Sequence, residues 1–275
     1  MTRLALLLYA AAAAAYLWHF VHRHPATGRA ATALLAAAAV SHTFVLGMHT
    51  MLVGHMPFVG SSNAVSAFVW LLALSYLYTE MTTDERAMGA FVAPLLVVLQ
   101  IIPTFGTGVV ARPALLETPL FVFHVTSLLF SYAAFALACV LGITFLLLFK
   151  EIKAKHLGFF YARLPSLQVL DAMNVRAVTI GWVFLTIGVI VGLFWVATAR
   201  VASPDDARVQ AMSVLDPKIF VALVSWCVYS FHLYARRAIG WSGKRAAWLS
   251  TLGFAIVLLN LLPVGFFFTR SHNFY

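Results

Sequence analysis

Apolar residues in this chain come in runs of about twenty, recurring from one end to the other and separated by charged or Pro/Gly breaks. Twenty helical residues at 1.5 Å each cross the roughly 30 Å of a bilayer's hydrocarbon. The breaks predict eight membrane-spanning helices, at residues 3–22, 30–53, 64–80, 87–104, 119–149, 177–200, 216–235 and 246–269. The fifth run exceeds what a bilayer needs and is expected to tilt or to project beyond the lipid. The connections are short, so 1–275 reads as one all-α domain, a polytopic helix bundle.

Composition agrees. The 275 residues are 63% hydrophobic and 10% charged, with a mean hydropathy of +0.93. Soluble domains hold about 45–50% apolar and about 25% charged residues. A secreted disulfide scaffold, a disordered regulator and a nucleic-acid module are thereby excluded, despite a net charge of +9. Cys139 and Cys227 sit inside apolar runs without C-x-x-C spacing, and read as packing residues.

Charge between the spans sets the expected orientation. Alternate loops hold twelve Lys and Arg, including Lys150, Lys153, Arg236, Lys244 and Arg245, against six in the other loops and the termini. The positive-inside rule puts the richer set in the cytoplasm and both termini outside. The Ala-rich start is read as a retained span, since it ends in Trp18 and a basic turn follows. Asp216-Pro217 reads as an N-cap and first-turn proline.

Ten histidines in so apolar a chain call for a reason, because ionisable groups in lipid are costly. His19, His22 and His24 form an interfacial cluster, and His156 lies in a basic loop. His42 lies near the middle of the second span, with His49 seven residues on and His55 past its end. Two turns separate 42 from 49, about 10 Å of rise, which disfavours one metal ion bound by both. His42 is either a single intramembrane ligand or an interhelical hydrogen-bonding residue. His232, toward the cytoplasmic end of the seventh span, has the same two readings.

His124 opens the fifth span and His272 follows the eighth, so topology places both at the outer face, 148 residues apart in sequence. Two neutral imidazoles from different helices can supply the axial bonds of a haem iron; they can equally be interfacial anchors. Haem propionates would call for rim cations, for which Arg112, Arg200, Lys218 and Arg270 are candidates.

Several strings together resemble the cytochrome c assembly protein family, the polytopic haem handlers that include CcsA, CcmC and HemX-like proteins. They are Pro57 and Ser61-Ser62-Asn63 leading to FVWLLALSYLYTE with Trp70, HVTSLLFSYAAFALA from His124, and TIGVIVGLFWVA ending near Trp195. Asp216-Pro217-Lys218 with Trp226, then Arg236, Gly240-Trp241 and Gly243-Lys244-Arg245, and finally Ser271-His272, complete the series. The resemblance covers about residue 42 to the C-terminus.

It implies non-covalent, transient haem b held at the outer face by His124 and His272, which serve as metal ligands. Trp195, Asp216, Lys218 and Arg270 would belong to the surrounding site, and His42 or His232 would hold haem on an inward path. It further implies an apocytochrome c partner, an accessory assembly subunit in the membrane, and a bacterial inner-membrane location. Haem attachment would be assisted without a catalytic residue, so the chain is not expected to be an enzyme. One departure stands out: residues 201–215, where the family's haem handlers are rich in tryptophan, contain none and carry Asp205 and Asp206. That pattern resembles the HemX-like branch. His232 also falls two residues before the position of the CcsA intramembrane histidine, which here is Tyr234. A HemX-like regulator of haem biosynthesis is the alternative function, and a small-molecule transporter a more distant one; no H-E-x-x-H or phosphate loop points to an enzyme.

Overall fold

The computed structural model describes residues 2–53, 61–105, 118–155, 158–205, 210 and 216–259. Eight α-helices account for nearly all of them: α1 Thr2–His22, α2 Pro25–Val53, α3 Ser61–Thr83, α4 Gly89–Phe105, α5 Pro119–Lys153, α6 Leu167–Ala202, α7 Pro217–Tyr234 and α8 Lys244–Leu259. Each falls on one of the eight apolar runs. Six of the eight are long and apolar enough to cross a membrane, α4 is a shorter apolar helix of 17 residues, and α8 runs up to the end of the described chain. The chain is a polytopic all-α bundle.

Two starts differ from the sequence expectation. Helix α2 begins at Pro25, whose fixed φ suits a first turn, and α6 begins at Leu167, ten residues ahead of the expected span. Ser166 caps α6 by accepting from the Val169 amide. The added turns hold Asp171, Asn174 and Arg176, polar residues that end a hydrophobic run without ending a helix. Helix α4 passes through Pro94 and Pro103 without interruption.

Side-chain pairings show which helices are antiparallel neighbours. Tyr9 meets His42 and Thr32 meets Glu80 across α1, α2 and α3. His124, Ser131 and Asn174 bridge α5 and α6 in descending register. Helices α1 to α4 thereby form one four-helix group and α5 to α8 another, joined through α3 against α5. One buried core runs through both, from Tyr9 and Tyr16 by way of Leu72 and Phe135 to Tyr229. The turns rich in Lys and Arg gather at one end, the basic end.

Lipid supplies no hydrophobic drive for helices to associate, so close packing and hydrogen bonds must do it. Tyr16 packs over Gly89, and Phe135 over Gly181. Phe135 also stacks on Tyr229, with ring centroids 3.6 Å apart. Trp182 and Trp226 lock α6 to α7 by donating to Ser230 Oγ at 2.7 Å and Thr186 Oγ1 at 2.9 Å. After α7 a π turn at Ala235–Ile239 ends on Gly240 at φ +76°, a left-handed cap open to glycine at little cost.

Candidate functional site

At the end opposite the basic turns, His124 sits at the interface of α5 and α6. Its imidazole Nδ1 donates to the Gly188 carbonyl at 2.7 Å. A carbonyl can only accept, so the neutral ring is fixed with its lone pair on Nε2. The ring lies against Gly192, where an added Cβ would come within 2.5 Å of it. The glycine at 192 is therefore required by the imidazole's seat.

One turn outward, Phe121 packs on Trp195 at 4.9 Å between ring centroids, and the Trp195 indole donates to Thr118 Oγ1 at 2.9 Å. His124 and Trp195, both candidates from sequence, thus occupy adjacent layers of one interface. Phe121 and Trp195 are both buried, so this aromatic layer is closed between α5 and α6. Asp216 and Lys218 open α7 at the same end. The Asp216 carboxylate accepts from the Lys218 amide at 2.9 Å and is 4% exposed, which makes it the N-cap of α7. Its role in the fold is capping, whatever else it does. Arg200 lies in the last turn of α6. His272 and Arg270 lie outside the described residues, as do Arg112, His55, His156 and Asp206.

The two intramembrane candidates are not brought together. His42, fully buried, lies between α1 and α3, with Tyr9 Oη 3.1 Å from Nδ1 and Ser66 Oγ 2.9 Å from Nε2. Both ring nitrogens are engaged in interhelical hydrogen bonds. His232 is held in the other four-helix group. Its Nε2 donates to the Ala246 carbonyl at 3.2 Å, while Nδ1 is buried with no hydrogen-bond partner. The cluster of His19, His22 and His24 folds locally at the α1–α2 turn, with His22 stacked on Trp18.

Three polar groups have no counterpart among the residues expected from sequence. Glu80, 1% exposed near the basic end of α3, accepts from Tyr16 at 2.7 Å and from Thr32, with Arg86 at 4.0 Å. Asp171 forms a two-point pair with Arg236 at 2.9 and 2.5 Å and also accepts from the Gly243 amide at 3.0 Å. Ser250 donates to Asn174, whose amide donates to the Ala138 carbonyl at 2.7 Å. A lone carboxylate in an apolar run, as in SYLYTEM, is the signal that would have found Glu80. Asp171 carried no such signal, because it stood outside the expected span. Among the described residues, no three His, Cys, Asp or Glu side chains gather as a metal site.

His124 thus has a carbonyl on one ring nitrogen and a buried aromatic layer one turn away. Comparison with known proteins decides the family. The family model described as "Cytochrome C assembly protein" matches residues 4–272. The chain belongs to the cytochrome c assembly protein family. Family membership reaches well ahead of residue 42, so α1 and the first half of α2 are part of the shared architecture.

Among curated relatives, the cytochrome c biogenesis protein CcsA of Guillardia theta is 28% identical over 260 residues, covering 86% of this chain and 82% of the relative. CcsA of Trieres chinensis is 27% identical over 264 residues, covering 84% and 81%. CcsA of Synechococcus elongatus is 25% identical over 296 residues, covering 91% and 87%. All three carry the CcsA name and not a HemX-like one.

Proposed function

We propose that this assembly-family protein handles haem for cytochrome c biogenesis, in the manner its CcsA relatives' name describes, and presents it at the outer face of a bacterial inner membrane. The observation that carries the reading is His124. A carbonyl accepting from Nδ1 is what orients a ligating imidazole and raises its basicity. Gly188 and Gly192 supply that acceptor and the seat, and Phe121 and Trp195, both buried, pack the layer of the interface one turn outward. The seated imidazole of His124 fits haem b: His124 Nε2 would hold the iron together with His272, and Lys218, Arg200 and Arg270 would pair with the propionates. Bound haem supplies a redox-active iron and vinyl groups for attachment to cysteine thiols. The chain's own residues bind it, orient it and shield it from lipid and water, and none serves as acid, base or nucleophile. The protein is on this reading a carrier and not an enzyme.

Orientation follows from charge, with the basic end in the cytoplasm and His124 outside. For an inward holding site, His232 is favoured over His42, since His232 keeps an unpaired ring nitrogen. Apocytochrome c and an accessory membrane subunit are the proposed partners.

Protein purified from haem-replete cells is expected to show a low-spin bis-histidine Soret and α/β spectrum, lost in His124→Ala and in His272→Ala. Imidazole added to His124→Gly should restore it. A preparation without haem that takes none up on titration would overturn the reading.

A further inference from the structure

Helices α5 and α8 cross closely at the basic end, where Gly142 lies against the Ala247 carbonyl. Beside that crossing they leave an open groove of about 460 Å³. Its walls are apolar, with Ile143, Leu147 and Trp248 exposed at 43%, 37% and 47%. Its rim holds three lysines, Lys150, Lys153 and Lys244, with the Lys244 ammonium 5.8 Å from the centre of the Phe149 ring.

Polarity in this groove changes along the helix axis and not across it. Ile143 to Lys153 spans ten residues of α5, about 15 Å of rise. One end therefore lies within the hydrocarbon and the other at headgroup level, with the cations confined to the headgroup end. The lipid-exposed walls suit an acyl chain, and the three ammonium groups suit a phosphate. A basic pocket between transmembrane helices is a recognised receptor for anionic headgroups. A polypeptide partner confined to the aqueous side would leave the Ile143 half of the groove uncovered.

We propose that the groove between α5 and α8 binds one anionic phospholipid of the leaflet at the basic end, its headgroup among Lys150, Lys153 and Lys244 and one acyl chain along Ile143 and Leu147. This site is separate from His124, which lies toward the other end of α5, and does not depend on the haem reading. It fastens α8 to α5 at the point where both leave the membrane.

The full chain, reconstituted in phosphatidylcholine nanodiscs with a minor share of phosphatidylglycerol, is extracted into mild detergent, and retained lipid is counted by native mass spectrometry. One phosphatidylglycerol per chain is expected, with the preference over phosphatidylcholine falling roughly fivefold for each lysine neutralised in Lys150→Gln, Lys153→Gln and Lys244→Gln. A second readout leaves the lysines intact. Brominated phosphatidylglycerol should quench tryptophan fluorescence more than brominated phosphatidylcholine, and Trp248→Phe should abolish the difference. Equal retention of both lipids by the unaltered chain, or unchanged preference in the triple variant, overturns the proposal. So does a triple variant that keeps its phosphatidylglycerol preference but loses haem uptake, an outcome assigning the groove to haem.

Discussion

Histidine in hydrocarbon is expensive, and partners sort the histidines of this chain into different kinds. His42 satisfies both ring nitrogens through Tyr9 and Ser66 and so behaves as an interhelical tie. Ties of this sort average roughly 0.6 kcal/mol in membranes, with a ceiling of about 2 kcal/mol. His42→Leu is accordingly expected to lower the thermal midpoint modestly while leaving the haem spectrum unchanged. His124 is different, because one nitrogen is spent on Gly188 and the ring is seated by Gly192. Gly192→Val should displace the imidazole and reduce haem retention severely, with helicity by circular dichroism preserved. A Gly192→Val protein with full haem content would show that the seat does not matter.

Between elements, polar pairs do what apolar faces cannot in lipid. The Asp171–Arg236 pair joins the start of α6 to the π turn after α7, and the Gly243 amide extends the same carboxylate to the start of α8. Its side chains are 16% and 24% exposed, so the charge is partly screened. A double-mutant cycle with Asp171→Asn and Arg236→Gln should give a coupling of roughly 1–2 kcal/mol, between the exposed and the fully buried limits. The Glu80 cluster does the same for α1, α2 and α3, and Glu80→Ala strands the Tyr16 hydroxyl, while Thr32 keeps the Gly28 carbonyl. A loss of about 1–3 kcal/mol is expected, read as a lower melting temperature in detergent. Neither carboxylate pair is arranged for ion coupling, since each is closed by partners of the same chain.

For the molecule as a whole, orientation is the central matter, since it decides at which membrane face His124 lies. In a Cys139→Ala, Cys227→Ala background, Lys153→Cys should react with a membrane-impermeant maleimide only from the cytoplasmic side. Ser203→Cys should react only from outside. The opposite labelling would put His124 in the cytoplasm and remove the basis for presentation to apocytochrome c. How far the chain itself announced this architecture varies by feature. The eight helices were legible, and so was the Asp216 cap of α7, because span length against bilayer thickness and Asp-Pro at a helix start are local properties. The start of α6 was not, because a helix leaving the hydrocarbon keeps its backbone hydrogen bonds while its side chains turn polar. Glu80, Asp171 and Asn174 escaped for a related reason, since their hydrogen-bond partners are 36 to 76 residues away and the apolar runs carry no stripe to mark the facing sides.

Sequence alone was enough for the class of protein, for the eight helices among the described residues and, through ordered motifs, for the family. Each of these is written along one dimension, in run lengths, charge bias and the spacing of a few residues. Packing in three dimensions settled which nitrogen of His124 bears the proton, that His42 is closed while His232 keeps an unpaired nitrogen, and that three lysines from α5 and α8 share one lipid-facing groove. Those facts depend on which faces of nearly uniform apolar helices meet, and in hydrocarbon that choice is made by glycine-scale fit and a handful of hydrogen bonds.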